Sequence, residues 1–78
     1  MSRKQIKGHL CFVGAGNMGE ALIRGVLSAG LYTKDQVIAT DVLPKRLLEI
    51  GKRYGIGVTE DRRKAVSVSR IIILAVKP

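Results

Sequence analysis

Gly14-Ala15-Gly16-Asn17-Met18-Gly19 is a G-x-G-x-x-G stretch, with the apolar run His9-Leu10-Cys11-Phe12-Val13 directly before it and a helix-like pattern directly after it. Alone the hexapeptide is a weak signal. Between a strand and a helix each glycine acquires a mechanical role. Gly14 makes the tight turn, Gly16 lets the backbone approach a pyrophosphate, and Gly19 lets the helix lie close to the strand. Unpaired N–H groups at the helix start, with the positive end of its dipole, then receive the phosphate charge. A Walker A loop is excluded because no Lys-Ser/Thr follows, and a kinase-type glycine loop joins two strands instead of a strand and a helix. The stretch predicts a dinucleotide-binding turn; the alternative is a glycine-rich turn with no ligand.

Downstream, short β-like runs alternate with helical ones. Met18, Ala21, Leu22, Gly25, Val26 and Ala29 recur at three- and four-residue spacing as one helix face, and Gly30 stops that helix. Leu31 to Gln36 reads as a polar connection and Val37-Ile38-Ala39-Thr40 as a second strand. Pro44 suits the first turn of a second helix, whose apolar side is Leu47, Leu48, Ile50 and Tyr54, until Gly55. Ile56-Gly57-Val58-Thr59 is a weak third strand, Asp61 caps a short helix carrying Ala65, Val66 and Val68, and Ile71 to Val76 is a continuous apolar run of the kind covered on both faces. The expected fold is α/β: a Rossmann-like, doubly wound parallel sheet, partial, in the sequence β-α-β-α-β-α-β with strand order 3-2-1-4. A chain stopping at a strand beside the centre of such a sheet leaves that strand with an uncovered edge. Residues 1–78 are therefore expected to be the front part of a dinucleotide-binding domain, with the remainder of the domain and any further domain absent.

Asp41 stands 22 positions after Gly19 at the end of the second strand, where an acid meets the ribose hydroxyls of the adenosine. It also suits an Asx turn leading into the next helix. An aspartate here favours NAD, whereas Lys45 and Arg46, one turn into the helix, offer contacts to a 2′-phosphate or stand as solvated cations. Cofactor choice is left open between NADP(H) and NAD(H).

The 78 residues allow one small domain, with 46% hydrophobic residues and a net charge of +8. That charge raises nucleic acid as a partner, but the only aromatics are Phe12, Tyr32 and Tyr54 and the cations are spread along the chain, so most of the charge reads as a solvated face. No apolar run is long enough for a membrane span, and the charged start does not lead into a signal peptide, so the expectation is a cytoplasmic protein without nucleic-acid or membrane partners. Cys11, the one cysteine, sits among apolar neighbours and reads as an inert buried thiol. His9, the one histidine, has no partner nearby in sequence. No Ser-His-Asp set, paired carboxylates or metal-ligand cluster is present, so no catalytic residue is named.

The runs Phe12-Val13-Gly14-Ala15-Gly16-Asn17-Met18-Gly19-Glu20-Ala21-Leu22 and Leu74-Ala75-Val76-Lys77-Pro78 resemble those of the pyrroline-5-carboxylate reductases. The resemblance spans essentially the whole chain, and the Ala-Val-Lys-Pro ending is its more specific part. It implies an NAD(P)H-dependent reduction of 1-pyrroline-5-carboxylate to proline. It further implies that Val13 to Met18 form the pyrophosphate turn, that Asp41 sits by the adenosine ribose, and that Ala75, Val76, Lys77 and Pro78 line the nicotinamide end. Lys77 also reads as a plain charge and Pro78 as a strand terminator. Many members have an asparagine after the third strand, near the adenine; this chain has Arg62, which could stack on adenine or contact phosphate. The family's substrate pocket and dimer interface come mainly from a helical C-terminal domain, so homo-oligomerisation is expected only through residues outside this chain. β-Hydroxyacid dehydrogenases and deazaflavin-linked NADP reductases, which begin with a similar turn, and a non-catalytic nucleotide-binding module are the alternatives.

Overall fold

The structure, a computed structural model, describes residues 6–76. Its elements follow in the order β1 (Leu10–Val13), α1 (Asn17–Ser28), β2 (Val37–Thr40), α2 (Pro44–Tyr54), β3 (Gly57–Thr59), α3 (Arg62–Ser67) and β4 (Ile71–Leu74). The four strands form one parallel sheet in the order β3-β2-β1-β4, the expected arrangement. The short β3, with its leading glycine, lies at one edge as expected.

Local chemistry accounts for the boundaries. α2 begins at Pro44, whose missing N–H costs nothing in a first turn, and ends at Gly55, which takes the left-handed conformation at φ 70°. α3 begins where the Asp61 carboxylate accepts the Lys64 N–H at 3.1 Å. Between α1 and β2 a 3-10 turn, Lys34–Gln36, stands where only a polar connection is expected; Thr33 and Gln36 cap it reciprocally.

Leu10, Phe12, Val37 and Ala39 face one side of the sheet and pack with Ile23 of α1 and Leu47 and Ile50 of α2. On the other side Cys11 and Val13 pack with Ala65 of α3. Cys11 is buried, as expected, and burial pushes its thiol pKa up against an opposing hydrogen bond from Ser69.

Three expectations need correction, one of them on α2, where Leu48 is 64% exposed and only Leu47 and Ile50 are buried. The core face of α1 is Gly19, Ile23 and, partly, Val26 and Leu27, while Met18, Ala21, Leu22 and Gly25 are exposed. α1 carries apolar residues on two sides, and its phase is decided by Gly19, whose Cα sits so close to the Gly14 carbonyl that a Cβ would lie 2.4 Å from that oxygen. The third correction is β4: Ile72 is 40% and Leu74 70% exposed, because α3 lies over β1 and β2 and no described element covers this face of β4, while Ile73 on the other face packs against the core. An uncovered edge on β4 was expected; an uncovered face was not.

Candidate functional site

The carboxyl ends of the strands meet at a cleft of about 180 Å³ lined by Gly14, Thr40, Asp41, Val42, Arg62 and Val76, together with Val13 and Glu60. In a doubly wound sheet this is the position at which ligands bind.

The glycine-rich turn forms one wall, and its three glycines differ in their requirements. Gly14 has φ 106°, and a Cβ there would lie 2.8 Å from the Ala75 carbonyl oxygen, so it must be glycine on two grounds. Gly19 must be glycine for packing. Gly16 has φ −76°, accessible to any residue, and a Cβ there would meet nothing within 4 Å. Neither backbone strain nor packing therefore requires glycine at 16, and only a modest N-cap preference favours it, whereas a ligand seated against the backbone would require it. Gly16 caps α1 without a side-chain bond, so the first-turn N–H donors of Asn17 and Met18 receive no side-chain cap. Asn17 and Met18 are exposed and Ala15 is buried beneath the turn.

Asp41 grips the turn. Its Oδ2 accepts the Ala15 N–H at 2.7 Å and its Oδ1 accepts the Leu43 N–H at 3.0 Å, so the Asx turn weighed from sequence forms, together with a bond across to the glycine stretch. Arg46 is engaged as well. Its Nε donates to the Ala15 carbonyl at 2.6 Å, its Nη2 to Glu20 at 2.6 Å, and its Nη1 lies 3.7 Å from Glu49. Arg46 thus faces the turn and α1, away from the set that lines the cleft, whereas Arg62 lines it beside Asp41 and Val42. Lys45 is exposed on the first turn of α2.

At the β4 end, Ala75 is buried and donates its N–H to the Val13 carbonyl at 2.8 Å; Val76 lines the cleft. Lys77 and Pro78 lie outside the described residues. The structure thus brings Val13 to Gly19, Asp41, Arg62, Ala75 and Val76 to one end of the sheet.

Sequence reasoning missed Glu20. Its carboxylate accepts from Arg46, Arg53 and the Tyr54 hydroxyl, the last at 2.6 Å. The Tyr54 hydrogen bond first, then those from Arg53 and Arg46, hold its pKa down to about 2. The signal was present: Arg46, Arg53 and Tyr54 stand seven and eight positions apart, on one helix face opposite an acid in the first turn of α1. Among the described residues no group of His, Cys, Asp and Glu is placed to hold a metal ion, and no helix is long and apolar enough to cross a membrane.

Residues 9–78 match the family described as NADP oxidoreductase coenzyme F420-dependent. The chain is 43% identical over 67 residues to the pyrroline-5-carboxylate reductase of Methanosarcina acetivorans, covering 86% of this chain and 25% of that protein. It is 37% identical over 68 residues to pyrroline-5-carboxylate reductase 2 of Bacillus subtilis, covering 86% of this chain and 24% of that one. Among solved structures, that of a pyrroline-5-carboxylate reductase from Coxiella burnetii superposes with a TM-score of 0.83 at 25% identity, over 91% of this chain and 26% of that chain. The chain spans about a quarter of the length of the curated relatives it matches.

Proposed function

Because the chain belongs to the NADP oxidoreductase coenzyme F420-dependent family, we propose that it is the NAD(P)H-holding part of an enzyme that reduces 1-pyrroline-5-carboxylate to proline. The observation that carries the cofactor site is Gly16: glycine that neither packing nor backbone strain requires, at a helix N-terminus, beside a cleft at the carboxyl end of a parallel sheet. The choice of substrate is supported by the relatives, which are named for that reaction.

The residues present fit a dinucleotide. The N–H groups of Gly16, Asn17 and Met18 bind the pyrophosphate, and the open space over Gly16 admits it. Asp41 and Val42 flank the adenosine end. Arg62, which lines the same cleft, takes the 2′-phosphate, because Arg46 is committed to Glu20 and Ala15. Ala75 and Val76 bound the nicotinamide end; Lys77 and Pro78, which the resemblance assigns to the same end, lie outside the described residues. Once bound, the reduced nicotinamide supplies the hydride for the C=N carbon of the substrate. What this chain contributes is binding and orientation, and the imino acid is held by residues outside it, which also carry the homo-oligomer contacts. A positively charged 2′-phosphate site at Arg62 favours NADP(H), with NAD(H) as the second cofactor; the setting is proline biosynthesis in the cytoplasm.

The family description favours one second reading, transfer between NADP(H) and the deazaflavin coenzyme F420. The deciding experiment supplies the full-length protein with 1-pyrroline-5-carboxylate and NADPH or NADH, and in parallel with NADP⁺ and reduced F420. Proline formation is expected. Its absence, with turnover of reduced F420, would replace the first reading by the second.

A further inference from the structure

We infer that Glu20 is a positioning residue for the dinucleotide turn, acting through Arg46 to aim the Gly16 N–H. The inference rests on the proposed dinucleotide site. The Ala15 carbonyl belongs to the same peptide unit as the Gly16 N–H, and a trans planar peptide points its C=O and N–H in opposite directions. Arg46 Nε holds that carbonyl at 2.6 Å. The Gly16 N–H is thereby directed away from α2, toward the open side of the turn. The preceding peptide is fixed as well, since the Ala15 N–H donates to Asp41 at 2.7 Å.

Arg46 alone would be a poor anchor, because an arginine side chain has many rotamers and a basic neighbour of an anion site is drawn to the anion. Glu20 removes that freedom. It binds Nη2 at 2.6 Å, so that Nε and Nη2 are spent on two fixed acceptors, and it is itself held by Tyr54 and Arg53. The side chains of Arg46 and Glu20 are only 20% and 14% exposed, so water competes weakly for the pair. The resulting ring runs from the turn to α2, across to α1, and back along α1 to the turn. An acid so close to a phosphate site is electrostatically adverse for the ligand; its presence is explained if it serves to hold Arg46 off the anion and on the carbonyl.

That opposition of sign makes the test sharp. Glu20→Gln removes a negative charge, so simple electrostatics predicts tighter dinucleotide binding, whereas loss of positioning predicts about tenfold weaker binding of NADPH and NADH alike, on the scale of one charge-assisted hydrogen bond. Arg46→Lys keeps the charge but has no Nε–H fork, and should weaken binding as much as Arg46→Ala. Arg53→Ala leaves the Arg46 contacts in place and should change the dissociation constant less than about twofold. Calorimetry on the full-length protein reads these. In the same variants without ligand, NMR should show the order parameter of the Gly16 N–H falling from about 0.85 to below about 0.6 in Glu20→Gln, with those of Cys11 and Phe12 unchanged. Tighter or equal binding by Glu20→Gln, full retention by Arg46→Lys, or an unchanged Gly16 order parameter would each overturn the inference. A parent protein that binds neither dinucleotide would defeat the proposed function, and the Gly16 order parameter would still judge the clamp.

Discussion

Two substitutions one helical turn apart should separate fold from ligand. At Gly19 an added methyl would lie 2.4 Å from the Gly14 carbonyl oxygen, about 1 Å inside the 3.4 Å at which ordinary contact begins. The obstacle is backbone, so α1 must shift away from β1, carrying Ile23 with it out of the core. Overpacking of this kind costs about 1–3 kcal/mol. For a domain of this size that is a fall in Tm of roughly 4–8 °C per kcal/mol. At Gly16 an added Cβ would meet nothing within 4 Å and the backbone is already extended at φ −76°, so in Gly16→Val the fold loses chiefly the cap preference of glycine, on the order of 1 kcal/mol or less. The side chain instead stands where the pyrophosphate would lie, and dinucleotide binding should be lost. Urea unfolding followed by circular dichroism, with calorimetric titration of NADPH, reads both effects. Unaltered NADPH affinity in folded Gly16→Val, or an unchanged unfolding midpoint in Gly19→Ala, would refute the reasoning.

Asp41→Ala should cost about 1–3 kcal/mol in a urea titration, because it leaves the Ala15 and Leu43 N–H groups without their acceptor. Arg62→Ala should move the ratio of NADPH to NADH dissociation constants about tenfold toward NADH, while Arg46→Ala weakens both cofactors without altering the ratio. Glu20 titrates near 4.5 when unfolded and about 2 when folded, so its stabilising contribution is complete above about pH 4.5 and disappears as the pH falls toward 2. An acid unfolding series should therefore show a shallower loss in Glu20→Gln over that window, and Tyr54→Phe, which removes the largest cause of the shift, should move the loss to higher pH.

The strand order was legible because it follows from a few local signals: a glycine turn that begins the winding, Pro44 and Gly55 bracketing α2, and a weak β3 that tolerates an edge. Helix phase was not. The apolar residues of α1 fall on two sides, and what selects Ile23 over Leu22 is a backbone contact between Gly14 and Gly19 that no side-chain pattern records. The exposure of β4 was hidden for a related reason: an apolar run states what a strand is suited to, whereas cover depends on where α3 crosses. At the site, the glycines could be assigned roles in advance, but Arg46 could not. Its sequence neighbours say only that it is a helix cation near Asp41, and its partner Glu20 lies 26 positions away on another helix.

The pairing of β1 also governs the order in which the sheet can be assembled. Leu10 is matched to Ile71, 61 positions later, and nothing between them can substitute for that neighbour, since β2 already occupies the opposite edge of β1. At the usual pace of synthesis, about 5–20 residues per second, β4 follows β1 after roughly 3–12 s. Through that interval the strand that carries the glycine turn presents an unpaired edge and an unfinished apolar face. An unpaired edge is a template for association with other chains, and the long sequence separation of β4 prolongs that exposure.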